Sequence, residues 1–198
     1  MLGARYAQAV AWATELHAHQ TRKVGDIPYL SHLLSVSAMV LEDDGDEDEA
    51  IAGLLHDAVE DVGGEPLLDE IRLRFGKKVA DIVDGCSDSY GDPKPPWAER
   101  KQQYIDHLEE GGVAEPVLRV VAADKLHNAR SVLVDLRRLG RMVFDAFNAD
   151  ADEVLWYYST ISRILDEQLP DSRSTIQLRD VVDQLAELLE SATVAESA

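Results

Sequence analysis

The chain has 198 residues and a hydrophobic fraction of 45%, which is ordinary for a globular protein that buries a substantial core. Its 38 acidic and 19 basic side chains give a net charge of −19, which argues against nucleic acid polymers and membranes as partners. The single cysteine, Cys86, excludes an internal disulfide, and we expect a cytoplasmic protein without a signal peptide or membrane span.

Apolar residues recur every three or four positions along almost the whole chain, and no segment alternates as a strand does. The sequence therefore predicts an all-α fold, a compact multi-helix bundle. The predicted helices cover residues 4–20, 31–42, 48–62, 66–75, 77–88, 96–110, 115–139, 141–148, 151–167 and 174–191. We expect one domain over residues 1–170, followed by a C-terminal helix and frayed tail at 171–198.

The first motif follows the first predicted helix, where residues 21–32 are TRKVGDIPYLSH. Ser31 is predicted to cap the next helix, which places His32 in its first turn. The basic pair Arg22 and Lys23 lies on the preceding loop. A lone histidine is more often structural or exposed than a ligand, so His32 by itself indicates little.

The second motif is GLLHDAVEDV at residues 53–62. On one continuous helix, His56 and Glu60 are four residues apart, as are Asp57 and Asp61, so their polar groups would form one patch. Leucine and valine flank that patch, and burying a carboxylate without compensation is costly. The context favours a metal or ionic partner over a solvated helix face, although a His-Asp pair alone is weak evidence.

An irregular stretch at residues 87–96, SDSYGDPKPP, separates this motif from the third one, and we expect it to form a loop near the site. The third motif is VVAADKLHNARS at residues 120–131. Asp124, Asn128 and Ser131 form one stripe on a helix. An ordinary ion pair with a neighbouring basic residue explains Asp124 equally well. His127 is expected to support a ligand or to pack in the core.

Together, the three motifs resemble the HD-domain superfamily, whose pattern is a leading His, a His-Asp pair and a distant Asp. RKVGDIPYLSH, GLLHDAVEDV and ADKLHNARS are similar to the hydrolase domains of RelA/SpoT-type enzymes and to small alarmone hydrolases, over about residues 1–165. The resemblance implies an all-helical HD-domain bundle, a manganese ion, and removal of the 3′-pyrophosphate from guanosine tetra- or pentaphosphate.

The resemblance also implies roles for individual residues. The matching metal ligands are His32, His56, Asp57 and Asp124. Glu60 and Asp61 match the pair that orients or deprotonates the attacking water. Arg22 matches a side chain that stacks on the purine. The other positions expected to contact substrate are Lys23, Asn128 and Ser131, with Tyr29 and Lys101 as weaker candidates.

The implied ligand set also constrains the cofactor. Two imidazoles and two carboxylates suit one divalent cation, which on donor chemistry is Mn²⁺, Fe²⁺, Co²⁺ or Zn²⁺; the resemblance implies Mn²⁺. A bound cation and a few basic side chains can reverse the potential inside a cleft, so a small anionic nucleotide remains an admissible substrate despite the negative net charge.

The chain departs from the family pattern in several places. Compared with the usual alarmone-hydrolase pattern, one extra residue separates Arg22 from His32. Ala58 stands where that pattern commonly has a small hydroxyl residue, and Lys125 stands where it commonly has an arginine. The loop at 87–96 also differs from the family's corresponding stretch. A second hypothesis is therefore an HD phosphohydrolase that acts on another phosphorylated nucleotide, such as a dinucleotide 2′- or 3′-phosphate.

A third hypothesis is a nucleotide-sensing module without turnover, which the intact Glu60 and Asp61 argue against. We expect no synthetase activity, because the chain beyond Ser131 is too short for a second catalytic domain. The sequence leaves the oligomeric state open.

Overall fold

The computed structural model describes residues 2–87 and 95–196, which form α-helices joined by short turns and loops. In chain order the helices are α1 (Ala4–Leu16), α2 (Leu30–Glu42), α3 (Glu47–Leu55), α4 (Gly64–Phe75), α5 (Lys77–Cys86), α6 (Trp97–Glu109), α7 (Glu115–Leu139), α8 (Ala151–Gln168) and α9 (Arg173–Glu196). Within the described ranges, the only β pairing is an isolated bridge between Thr21 and Pro28. The all-α prediction is confirmed.

The long helix α7 lies at the centre of the bundle, where it packs against α2, α3, α5, α8 and α9. Its buried residues include Val121, Leu126 and Leu133. A proline in its first turn and Gly140, with φ of 62°, mark its two ends, which explains why the prediction for 115–139 matches. Asp124 lies on this buried helix.

Helix α1 ends at Leu16, before the predicted end at residue 20. The following residues form a closed loop. In this loop the Arg22 N–H donates to the Ile27 carbonyl at 2.9 Å, and the Tyr29 N–H donates to the Gln20 carbonyl at 2.9 Å. Before this loop, the N–H of Gln20 donates to the carbonyl three residues back instead of four, so the α-helix has already ended.

The predicted helix over residues 48–62 is broken. Helix α3 ends at Leu55, and a π-helical turn covers Val59–Gly63 after a turn at His56 and Asp57. The expectation that these polar groups share the face of one regular helix is therefore wrong. The two glycines that end the segment allow the chain to turn into α4, and short π-helical turns are frequent at functional sites.

Most other predicted boundaries agree with the structure to within two residues. Ser31 lies inside α2, which has no side-chain cap, so the predicted cap is wrong. Residues Gly140–Ala146 form a 3₁₀ segment where an α-helix was predicted, and α9 continues to Glu196. Of the loop predicted at 87–96, residues 88–94 lie outside the described residues. Within the described ranges, every helix is too short or too polar to cross a membrane.

Candidate metal centre and its pocket

Two imidazoles and two carboxylates converge inside the bundle. His32 lies on α2, Asp124 lies on α7, and the turn after α3 contributes His56 and Asp57. The ligand atoms of His32, His56 and Asp124 all lie within 4.8 Å of one another. Asp57 lies beside this group, with Oδ2 3.0 Å from His56 Nε2 and 3.5 Å from His32 Nε2. The structure brings the four side chains together, as the resemblance implied.

The histidine nitrogens at this centre fit a bound cation. His56 Nδ1 donates to the Gly53 carbonyl at 2.9 Å, which leaves Nε2 as a lone-pair acceptor in the neutral ring. His32 Nδ1 lies 2.8 Å from Nδ1 of His127, and its Nε2 faces the carboxylates. Both Nε2 atoms are buried and have no hydrogen-bond partner within the described residues, because the carboxylate oxygens near them can only accept. A divalent cation with nitrogen and oxygen ligands would satisfy them.

The charges of the side chains around the centre also favour binding of a positively charged group there. Burial lowers the pKa of His56, but the carboxylates of Asp57 and Asp124 raise it well above its ordinary value. Burial raises the pKa of both carboxyl groups. His56 nevertheless holds the pKa of Asp57 well below its usual range, and Lys125 does the same for Asp124. Both carboxylates are therefore ionised and attract a proton or a cation.

Neighbouring side chains orient these carboxylates. The Tyr29 hydroxyl donates to Oδ2 of Asp57 at 2.6 Å. On Asp124, Lys125 Nζ lies 2.6 Å from Oδ2, and Asn128 Nδ2 donates to Oδ1 at 2.5 Å. Tyr29 and Asn128, which were predicted to contact substrate, therefore also hold the candidate ligands. Such contacts fix the direction and charge of a metal ligand.

His127 takes the supporting position that was expected for it. Its Nδ1 contacts the His32 ring, and the two ring centroids are 4.8 Å apart. Burial, with further contributions from His32 and Arg22, lowers the pKa of His127 to about 4. It therefore stays neutral at physiological pH and can accept a hydrogen bond from His32.

A pocket of about 610 Å³ is bordered by Asp57 and Asp124. The predicted catalytic and substrate-contacting residues all line it: Glu60, Asp61, Arg22, Lys23, Tyr29, Lys101, Asn128 and Ser131. His32 and His56 are buried and do not line it. A cavity of this size matches the volume of small-molecule sites.

Basic side chains gather in the pocket despite the net charge of −19. The pKa of Lys23 is lowered by burial and then by the neighbouring charges of Lys101, Arg22 and Arg100. The Arg22 guanidinium donates to Oδ1 of Asn128 at 2.7 Å and lies 5.6 Å from the centre of the Tyr29 ring. Mutual repulsion of these cations would be relieved by an anionic ligand.

The two remaining acidic residues of the second motif lie at the same pocket. Glu60 is half-buried, with Oε1 3.4 Å from a guanidinium nitrogen of Arg100. Asp61 is exposed, and its Oδ2 accepts a hydrogen bond from Gln20 at 2.9 Å. Either carboxylate can accept a proton from a water molecule in the pocket.

Helices α6 and α8 provide a pocket wall of which only Lys101 was predicted from the sequence. Trp97, Arg100 and Tyr104 line the pocket beside Lys101, and their spacing of three and four places them on one face of α6. Tyr157 of α8 packs against Trp97, with ring centroids 6.0 Å apart. This mixed aromatic and basic stripe was a periodic signal that could have identified the wall.

The chain is similar in sequence to known proteins. The model of the HD domain family matches residues 9–151. The chain is 36% identical over 134 residues to guanosine-3′,5′-bis(diphosphate) 3′-pyrophosphohydrolase MESH1 of Xenopus tropicalis, covering 66% of this chain and 69% of that protein. It is 30% identical over 165 residues to the bifunctional (p)ppGpp synthase/hydrolase SpoT of Escherichia coli K12, covering 81% of this chain and 22% of SpoT.

The fold also resembles a solved structure of a metazoan ortholog of SpoT. The TM-score is 0.72, and the match covers 93% of this chain and 97% of the other. At 22% sequence identity, this likeness shows that the two proteins share a fold.

Proposed function

The chain belongs to the HD domain family, and we propose that it is a divalent-metal-dependent hydrolase that removes the 3′-pyrophosphate from guanosine 3′,5′-bis(diphosphate). The main support is the buried cluster of imidazoles and carboxylates, whose two Nε2 atoms lack partners, at a pocket lined by basic side chains. Relatives named for this activity at 30% identity or more support the substrate.

In this proposal, His32, His56, Asp57 and Asp124 hold the cation. When bound, the cation acts as a Lewis acid and makes water a better nucleophile at neutral pH. The mixed nitrogen and oxygen donors are compatible with Mn²⁺, Fe²⁺, Co²⁺ and Zn²⁺, and the resemblance to alarmone hydrolases favours Mn²⁺ among them. Tyr29, Lys125 and Asn128 keep the two carboxylates ionised and oriented.

The chain's own acid–base groups are Glu60 and Asp61. Both line the pocket within a few residues of the proposed ligands, so either can orient the attacking water or accept its proton. Arg100, which lies close to Glu60, keeps that carboxylate turned towards the α6 wall.

The basic residues of the pocket bind the substrate. Lys23 and Lys101 offset the charge of its phosphates, and Arg22 stacks on the purine with the face of its guanidinium. Ser131 and Asn128 supply polar contacts from α7. A nucleotide substrate of this kind and the single, unpaired Cys86 support a cytoplasmic location.

The direct test is to incubate purified protein with guanosine 3′,5′-bis(diphosphate) and Mn²⁺, and to measure released pyrophosphate. We expect release with Mn²⁺ and none after chelation. A His56→Ala variant serves as the metal-site control. Absence of release across Mn²⁺, Fe²⁺, Co²⁺ and Zn²⁺ would reject this substrate.

A panel of other phosphorylated nucleotides, including dinucleotide 2′- and 3′-phosphates, separates the alternatives. Hydrolysis of a panel member with guanosine 3′,5′-bis(diphosphate) untouched would retain the metal chemistry and replace the substrate. Tight binding without hydrolysis under any metal would instead indicate a sensing module.

A further inference from the structure

We propose that His17 and Gln20 are positioning residues that hold the Asp61 carboxylate in its working orientation. This inference rests on the proposed function, in which Asp61 is one of the two carboxylates that can orient the attacking water or accept its proton. Neither His17 nor Gln20 belongs to the three motifs from which the function was inferred.

The contacts form a continuous path from the core to the pocket. Nδ1 of His17 lies 2.5 Å from Oε1 of Gln20, and Nε2 of Gln20 donates to Oδ2 of Asp61 at 2.9 Å. His17 is 3% exposed, whereas Asp61 is exposed. Gln20 is one group that fixes the orientation of this exposed carboxylate, and Gln20 is itself held by His17 in the core.

The direction of each hydrogen bond follows from the ionised carboxylate. Asp61 can only accept, so the amide N–H group of Gln20 faces it and the amide oxygen faces His17. His17 must therefore donate from Nδ1, and its Nε2 carries no proton in the neutral ring. That Nε2 is buried without a hydrogen-bond partner.

This buried, unpartnered nitrogen argues against a purely structural role for His17. The ring stacks on Tyr29, with centroids 5.4 Å apart and planes inclined by 23°. A phenyl ring would stack in the same way and would bury no unsatisfied nitrogen. What the imidazole adds to a phenyl ring at this position is the Nδ1–H that orients Gln20.

The imidazole of His17 also links two of the acidic groups of the site, Asp57 and Asp61. Tyr29, on which His17 stacks, donates its hydroxyl to Asp57. The segment that follows α1 therefore contacts the proposed ligand Asp57 through Tyr29 and the proposed base Asp61 through Gln20. We infer that it sets the placement of one carboxylate relative to the other.

Two substitutions break the path at different points. Gln20→Met keeps an unbranched side chain of similar length but cannot donate to Asp61. His17→Phe keeps the stack on Tyr29 but cannot donate to Gln20. Each should lower kcat by roughly tenfold to a hundredfold, the range expected for misplacing a catalytic group. Mn²⁺ affinity should change by less than about twofold in both variants, because neither residue is a proposed metal ligand. KM should change by less than about twofold in His17→Phe, since His17 does not line the pocket that Gln20 lines.

Three controls separate positioning from loss of structure. His19→Asn changes an exposed histidine two residues away and should leave kcat unchanged. His17→Asn, whose amide nitrogen can replace Nδ1 as a donor, should recover most of the activity lost in His17→Phe. In the double variant, His17→Phe should have no further effect once Gln20 is methionine, because His17 acts only through Gln20.

A readout independent of turnover keeps the proposal testable if the substrate assignment fails. Imidazole ¹⁵N NMR of the wild-type protein should show His17 as the Nδ1–H tautomer, and Gln20→Met should shift it towards Nε2–H. Wild-type protein that releases no pyrophosphate would reject the proposed function alone. An unchanged tautomer in Gln20→Met, or an active enzyme whose kcat survives both substitutions, would overturn the positioning role.

Discussion

Replacing Lys125 with methionine tests whether the folded metal centre depends on the buried ammonium group of this lysine. Lys125 Nζ lies 2.6 Å from Asp124 Oδ2, and the two side chains are 13% and 8% exposed. Its ammonium also lies 5.5 Å from the centre of the Tyr104 ring. Methionine has a similar volume and removes the charge alone, which leaves Asp124 buried beside Asp57 without its nearest compensating charge.

The distance between the two charges sets the size of the expected loss in the free energy of unfolding. At 2.6 Å and an effective dielectric constant of about 20, the Coulomb attraction between the two charges is about 6 kcal/mol. Desolvation of the buried ammonium offsets part of this attraction. Removing one partner of a buried pair costs about 3–5 kcal/mol, because the other charge is left uncompensated. For a chain of this size, that loss lowers the Tm by about 6–20 °C.

Thermal and urea unfolding, each measured in EDTA and in excess Mn²⁺, provide the assay. We expect Lys125→Met to lose this stability in EDTA and to recover part of it with Mn²⁺, because a divalent cation compensates the carboxylates. Lys77→Met is the matched control, since Lys77 pairs with Asp81 at 79% exposure and should cost less than about 1 kcal/mol. A loss below about 1 kcal/mol for Lys125→Met would refute the reasoning.

Three further predictions address the metal and its ligands. Chelation should abolish turnover. Adding Mn²⁺ back at about 100 times its Kd should raise the free energy of unfolding by about 2.7 kcal/mol. A Tm that does not change with Mn²⁺ would contradict a metal site in the folded protein. Tyr29→Phe removes the hydrogen bond to Asp57 and should weaken Mn²⁺ binding by about ten- to a hundredfold in calorimetry; equal affinity would show that the hydroxyl does not support the ligand. Glu60→Ala should retain Mn²⁺ but lower kcat by about a hundredfold or more, whereas His56→Ala should lose both; full turnover in the His56 variant would defeat the ligand assignment.

The helices were largely predictable because their signals are local. Helix α7 matches its prediction at both ends, where a proline and Gly140 act on the backbone directly. The errors lie where hydrogen bonds outside the regular helical pattern replace it. After Leu16 the backbone bonds three residues back and then across the loop of residues 20–29, and residues 56–63 adopt a turn and a π-helical segment despite a helical apolar pattern.

The candidate site was predictable in its chemistry but not in its supporting contacts. The three motifs identified the imidazoles and carboxylates, because residue type and order are visible in the chain. The contact between His32 and His127 joins residues 95 positions apart, and the contact between Arg22 and Asn128 joins residues 106 positions apart. Spacing on a single helix cannot predict such pairs.

The sequence by itself determined the helical class, the positions of most helices and the side chains available for metal and phosphate chemistry, since periodicity and residue type act within a few residues of chain. Only the tertiary structure decided which groups meet. Packing of the helices buries Asp124 beside Lys125 and brings α6 and α8 to the pocket wall. It also places Gln20, beyond the end of α1, against Asp61. Those contacts depend on how separate helices pack, and a buried charge or an oriented carboxylate exists only once they have packed.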